Sequence, residues 1–307
     1  MRLGSRRAPA ACGLMLAVAG TIGGVVAGQA PASPTGRAAA PPAASALPPC
    51  PDEPAKLHPC AIERAKTFRP PRTADGRPNL QGYWRGPGSA TESIEAHPKT
   101  EDDNGGPSLI IDAADGTLPY RPEFANVRDA HKTTFIEPNV PCFPMGVPRA
   151  HYTPTAIQIH QTPGYVLVMF ERAHVYRIIP TGGQPHVGDA VKLWMGDSRG
   201  RWDGNTLEVD VRNQNAKPWF DQAANFYSSG AHMVERWTLI QPNVIHYAVR
   251  IDDPTVFTRP FTMTFPLKRN TEAGFRLLEE ACHEGDRNTE PLMKQGQTFY
   301  NGLPAAK

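Results

Sequence analysis

The chain has 307 residues, with 32 basic against 30 acidic side chains, 40% apolar residues, 33 prolines and 27 glycines. A balance so near neutral leaves no clustered Lys and Arg to displace counterions, so nucleic acid is not an expected partner. Neither is a membrane surface recognised through a polybasic patch. The apolar share is too high for a globally disordered chain, and the Pro and Gly counts exclude a helical bundle in favour of turns and short strands.

Arg2, Arg6 and Arg7 precede a short apolar run at residues 14–26, and small residues follow at Gly28 and Ala30. Basic, apolar and small-residue regions in that order predict a signal peptide over residues 1–30 and a periplasmic or secreted protein. The apolar run is too short and too Gly-rich for a membrane span, which needs about 20 apolar residues, so no stable insertion is expected after its removal. The Arg6-Arg7 pair keeps twin-arginine export open beside the general route. Residues 31–72 are dominated by Pro and Ala without a periodic apolar pattern. Such a segment buries too little surface to offset its ordering entropy, which predicts a disordered linker ahead of one domain over residues 73–307. Cys50 and Cys60 lie in that linker, and Cys142 and Cys282 lie in the domain. In an exported chain these four read as disulfide cysteines. Pairing Cys50 with Cys60 closes a small loop and leaves Cys142 with Cys282; three pairings are open by arithmetic. With no C-x-x-C, no zinc knuckle or thioredoxin-like site is expected.

Beyond Thr155 the pattern has a period of two. Alternating or continuous apolar runs occupy residues 155–161, 165–171, 174–179, 206–212, 232–240, 243–251, 261–267 and 275–280. Turn residues separate them: Pro163-Gly164, Gly182-Gly183, Asp203-Gly204-Asn205 and Gln241-Pro242. These read as about eight strands, several in hairpins. No amphipathic crossover helices intervene, so a doubly wound parallel sheet is excluded. The expectation is an all-β, antiparallel up-and-down barrel of the lipocalin or calycin kind, with a two-sheet sandwich as the alternative. A barrel of that size has room for one small ligand.

Several segments carry recognisable spacing. They are Asp75-Gly76-Arg77-Pro78 through Trp84, Cys142-Phe143-Pro144-Met145-Gly146-Val147-Pro148-Arg149, and Gly200-Arg201-Trp202-Asp203-Gly204-Asn205-Thr206-Leu207. Later come His232-Met233-Val234-Glu235-Arg236, Ile251-Asp252-Asp253-Pro254 through Thr258, and Glu279-Glu280-Ala281-Cys282. In these the chain resembles a large family of exported, mostly uncharacterised bacterial proteins with CxPxGxPR, GRWxGDTLxVD, HxxER and IDDPxxYT motifs. It departs at Asn205, where the family usually has Asp, and at His283-Glu284-Gly285 after the last cysteine. The resemblance implies export, one domain and a β architecture, and it transfers no activity.

On the 232–240 strand, His232 and Arg236 share one face, and Met233, Glu235, Trp237 and Leu239 share the other. Glu235 therefore falls among large apolar residues and needs a cationic partner if that face is interior; Arg149, Arg177 and Arg201 are available. A structural ion pair is one reading. The other is an acid–base group tuned by burial and charge, with His232 as its partner, since imidazole titrates nearest neutrality. Arg149 or Arg236 would then stabilise developing negative charge, and Arg177, Trp202, Asp210 and Tyr247 would contact substrate. Gly196-Asp197-Ser198-Arg199-Gly200 fits G-x-S-x-G, but no helix follows it, so it reads as a turn rather than a nucleophile elbow. His151, His160, His174 and His246 lack metal-ligand spacing, so neither a metal nor a redox cofactor is expected. The reading that follows is an exported barrel enzyme using lyase, isomerase or hydrolase chemistry on a small organic or sugar-like molecule. Its alternative is a non-catalytic barrel of the cell envelope that binds a small ligand.

Overall fold

A computed structural model describes residues 48–280, 282 and 289–306. The signal segment, the first part of the linker and His283-Glu284-Gly285 lie outside the described residues.

The first element corrects the linker. Residues Pro54–Thr67 form helix α1, with Pro54 at its start, where a missing N–H costs nothing. Leu57 and Ala61 on one face pack against Ile240, and the Cys50–Cys60 disulfide ties the preceding turn to the helix. The Pro and Ala content hid three buried positions, Pro54, Leu57 and Ala61, that are enough to dock two helical turns. The second disulfide joins Cys142 to Cys282.

Strand β1 is Gly82–Arg85, helix α2 is Val127–Thr134 and β2 is Phe135–Ile136. The barrel strands follow: β3 Ile157–Thr162, β4 Tyr165–Phe170, β5 Tyr176–Pro180, β6 Asp197–Asp203, β7 Thr206–Arg212, β8 His232–Gln241, β9 Val244–Asp252 and β10 Phe261–Arg269. Helix α3 (Thr289–Lys294) and β11 (Thr298–Phe299) end the chain, and β11 pairs with β2 outside the main sheet.

Nine strands form the sheet in the order β5-β4-β3-β1-β10-β9-β8-β7-β6. Followed around, each strand neighbours the next in sequence and β10 returns to β1, so the topology is up-and-down. Every ladder is antiparallel. With nine strands, that alternation leaves β5 and β6 pointing the same way, so the ring cannot finish with one more antiparallel ladder. Side chains close the seam instead: Arg177 on β5 donates from Nε to Ser198 Oγ on β6 at 2.8 Å. Gly200 permits the approach, because a Cβ there would lie 2.8 Å from the Ile179 methyl and 3.0 Å from that of Thr181. The G-x-S-x-G stretch is thus strand, and Ser198 is an interior residue.

Two expectations about strands fail for identifiable reasons. Residues 275–280 form no strand; the Leu278 and Glu280 amides bond to the Glu171 carboxylate and the His174 ring instead of to a sheet edge. β1 went unseen because it is only four residues long. It covers just one end of β10, and the neighbouring edge is paired by Ile110 through a single bridge to Met263.

The interior also differs from the expected barrel with room for one small ligand. Inward residues such as Val209, Met233, Trp237, Tyr247, Ile251 and Phe265 are fully buried, and two loop segments fill the space between them. Tyr152 packs edge-on to Phe265 and donates its hydroxyl to the Phe220 carbonyl, while Phe220 packs on Phe261. His151 lies against Tyr247, Trp237 and Phe170. Tyr227 donates to Gln214, whose amide reaches the Met233 sulfur. The barrel closes on a plug of its own aromatic residues.

Candidate functional site

Three places concentrate polar chemistry. The first is inside the barrel. Glu235 is wholly buried, opposite Val209 on β7 and Val249 on β9. Arg177 meets it with two parallel bonds, Nη1 to Oε1 at 3.1 Å and Nη2 to Oε2 at 2.6 Å, and Tyr247 donates its hydroxyl to Oε1. Burial pushes the Glu235 carboxyl up, but the Arg177 charge together with His151 and the hydrogen bonds from Arg177 and Tyr247 outweighs it, and the group sits below its ordinary value. His151 shares the chamber, and burial holds it down at about 4, so it is neutral at pH 7. Of the three arginines open to Glu235, the fold selects Arg177. Arg149 is buried too, but it pairs with Glu137, and Arg201 points outward to Glu208 at 2.5 Å. The unit is a saturated structural clamp across the barrel.

The second place is the outer face of β6, β7 and β8. His232 lies here, on the opposite side of β8 from Glu235, so the two cannot exchange a proton; the strand period itself separates them. His232 Nε2 is 2.8 Å from Asp210 Oδ2, and His186 Nε2 is 2.8 Å from Asp210 Oδ1. The other His186 nitrogen, Nδ1, is 2.7 Å from Asp197 Oδ2. Carboxylate and imidazole thus alternate through Asp197, His186, Asp210 and His232. Burial would raise the Asp210 carboxyl, but hydrogen bonds from His232 and Arg212 carry it far below the ordinary carboxylate range. With Nε2 donating to Asp210, Nδ1 of His232 is the free basic nitrogen. His232 lines an open depression of about 360 Å³ together with Lys192, Arg212 and Ser229. Arg236, the partner of His232 on this face, is engaged with Glu208 and with Asp203 at 2.9 Å.

The third place is a groove of about 340 Å³ between α1 and the barrel wall. Ala61, Ile62, Ala65 and Ala248 make it mostly apolar, and His58, His246, Thr206 and Thr238 supply its polar atoms. Its tautomers can be worked out. The Thr264 hydroxyl donates to the Tyr247 carbonyl at 2.8 Å, so His246 Nε2, 2.8 Å from the same oxygen, must donate to it. That nitrogen also faces His58 Nδ1 at 3.2 Å. His246 Nδ1 is then a bare acceptor and His58 Nε2 a bare donor. Burial pushes His246 down to about 3 and also lowers His58, so both rings are neutral.

The expected site residues therefore divide. Glu235, Arg177 and Tyr247 form one unit, and His232 with Asp210 forms another. Arg236 borders the groove, while Arg149 belongs to the plug. Trp202 lines a small depression of about 150 Å³ with Arg77 and Gln161. His160 is exposed on β3, and His174 follows β4 in a turn, so neither joins His151 or His246 around a metal. His186, Asp197 and His58 went unnoticed because each lies outside the period-two runs or in an unpartnered motif. Only their convergence in space marks them.

No family model matches the chain, and no curated protein matches it. Among solved structures, a point mutant of the fluorescent protein UnaG is similar at 13% identity with a TM-score of 0.23, over 38% of this chain and 72% of that one. The strand ladders by themselves define the barrel. Among the described residues, no helix is long and apolar enough to cross a membrane.

Proposed function

We propose that this chain is an exported small-ligand-binding barrel whose site is the groove beneath α1 and not the barrel interior. The observation that supports it is a concavity of about 340 Å³, mostly apolar and lined by two neutral imidazoles, His58 and His246. Pockets of that size with few convergent polar atoms suit small organic ligands. Neutral imidazoles favour an uncharged, flat or ring-shaped molecule carrying a hydroxyl, carbonyl or amide. The nearby Arg236 charge is already matched by two carboxylates, so it adds no call for an anion. Two disulfides fit an oxidising compartment, and the motif set supports membership in the exported family.

Titration with 1-aminoanthracene, a neutral fluorescent amine, tests the site. We expect saturable one-to-one binding that Ala65→Trp weakens at least tenfold, with unchanged far-UV circular dichroism, because the indole fills the groove from a half-buried position. Binding that is absent, or indifferent to Ala65→Trp, overturns the proposal.

The Asp210–His232 pair favours a second reading, acid–base catalysis at the outer depression. An imidazole oriented by a carboxylate, with its other nitrogen free, is the usual form of a general base. If p-nitrophenyl ester hydrolysis is detectable, His232→Ala should lower kcat by about 10²-fold or more and leave 1-aminoanthracene binding intact. An equally active variant removes His232 from any mechanism.

A further inference from the structure

A fourth cluster, apart from those three places, has metal-ligand chemistry. Glu92, His97 and Asp103 each present one donor atom, and all three atoms lie within 4.8 Å of one another. His97 Nδ1 is 2.8 Å from the Glu95 carbonyl, which requires Nδ1 to carry the hydrogen and leaves Nε2 as a lone pair. Nε2 lies 3.1 Å from Asp103 Oδ1, yet it is closed to solvent and makes no hydrogen bond. Glu92 Oε2 is likewise closed to solvent and without a partner. Two acceptors facing each other without a proton between them are unfavourable, and an unpaired buried carboxylate oxygen adds to the cost. A cation bound by all three removes both penalties.

The spacing suits one. Two ligand atoms about 2.1 Å from a metal and roughly 90–110° apart are about 3.0–3.4 Å from each other, which brackets the 3.1 Å between His97 and Asp103. The backbone carbonyl on Nδ1 is the outer-shell partner that metal-binding imidazoles regularly have. The loop is held in shape without the metal: the Asp103 carboxylate accepts from the Gly105 amide at 2.7 Å, the Thr100 amide bonds the Asp103 carbonyl at 2.9 Å, and His97 bridges to Gly106. Arg128 and Lys132 border the same depression, but Arg128 is spent on Glu95 at 2.7 Å.

We propose that Glu92, His97 and Asp103 bind one divalent transition-metal ion, zinc above all, leaving coordination positions open toward a depression of about 400 Å³. One imidazole with two carboxylates is a borderline donor set that suits zinc or manganese better than calcium. The ligands stand at positions 92, 97 and 103, a spacing that matches no familiar motif, so only their convergence in space marks them.

Isothermal titration of the EDTA-treated full chain with zinc chloride tests this. One zinc per chain is expected, lost in His97→Ala and weakened at least tenfold in Glu92→Gln, while His58→Ala and His232→Ala bind as the parent does. Melting temperatures of the zinc-free variants, within a few degrees of the parent, show that the loop has not simply unfolded. No stoichiometric zinc, or zinc that survives His97→Ala, overturns the site. Zinc lost only in His58→Ala or His232→Ala does the same, and a protonated His97 paired with Asp103 is then the structure of the loop.

Discussion

Replacing Glu235 by alanine lowers the unfolding free energy by about 3–5 kcal/mol, the cost of leaving a buried charge without its counter-ion. Arg177 is 3% exposed, and after the truncation its guanidinium keeps only Ser198. Urea denaturation of parent and variant measures the difference. The double variant Arg177→Met, Glu235→Leu should recover most of the loss, because removing both ions removes their desolvation penalty along with their attraction. A loss below about 1 kcal/mol in Glu235→Ala means that the pair is wet rather than buried. A double variant as unstable as the single means that the pair holds the β5–β6 seam in some way beyond neutralising itself. Because the Glu235 carboxyl is held below its ordinary value, its stabilisation is present above about pH 4.3 and disappears as pH falls through the lower folded value.

Stability drops by about 3 kcal/mol between pH 6.5 and pH 5 through two buried imidazoles. His151 and His246 are neutral in the fold, with folded values of about 4 and about 3. Once unfolded, each titrates with a midpoint near pH 6.5, so the unfolded chain binds about one more proton than the fold at pH 6.5 and about two more at pH 5. The slope of stability against pH is then positive, about 1.4 kcal/mol per unit for each ring. The contribution is complete above pH 6.5 and is lost as pH falls toward the folded values. His58 and His131, lowered by burial as well, act in the same direction. Denaturation midpoints at half-unit intervals give the slope directly. His151→Phe should reduce it by about half, and a flat curve from pH 6.5 to 5 would show that neither ring is desolvated.

Glu235 shows how much of the site was legible. Its place among Met233, Trp237 and Leu239 put it inside by strand period alone, and burial called for an arginine. The choice of Arg177 over Arg149 and Arg201 needed coordinates, since it depends on where β5 meets β6 across a seam that has no ladder. His232 shows the opposite case. The same period placed it outside, so joining it to Glu235 as an acid–base couple conflicted with the pattern that defined both. Its real partner, Asp210, lies one strand away on the same face, and His186 reaches that face from a loop with no periodic signal.

The residues by themselves determined the secondary structure of most of the wall, the antiparallel order around it and which face of each strand is apolar. Those properties follow from local chain geometry, in which side chains alternate and turn residues punctuate. Only the tertiary structure decided that the barrel is filled by its own loops, that a helix rises from a Pro- and Ala-rich stretch to cover the wall, and that the hollows lined by His58 and His232 lie outside the barrel. Each depends on contacts between segments far apart in the chain, where a few apolar side chains in the right place outweigh the composition of the stretch that carries them.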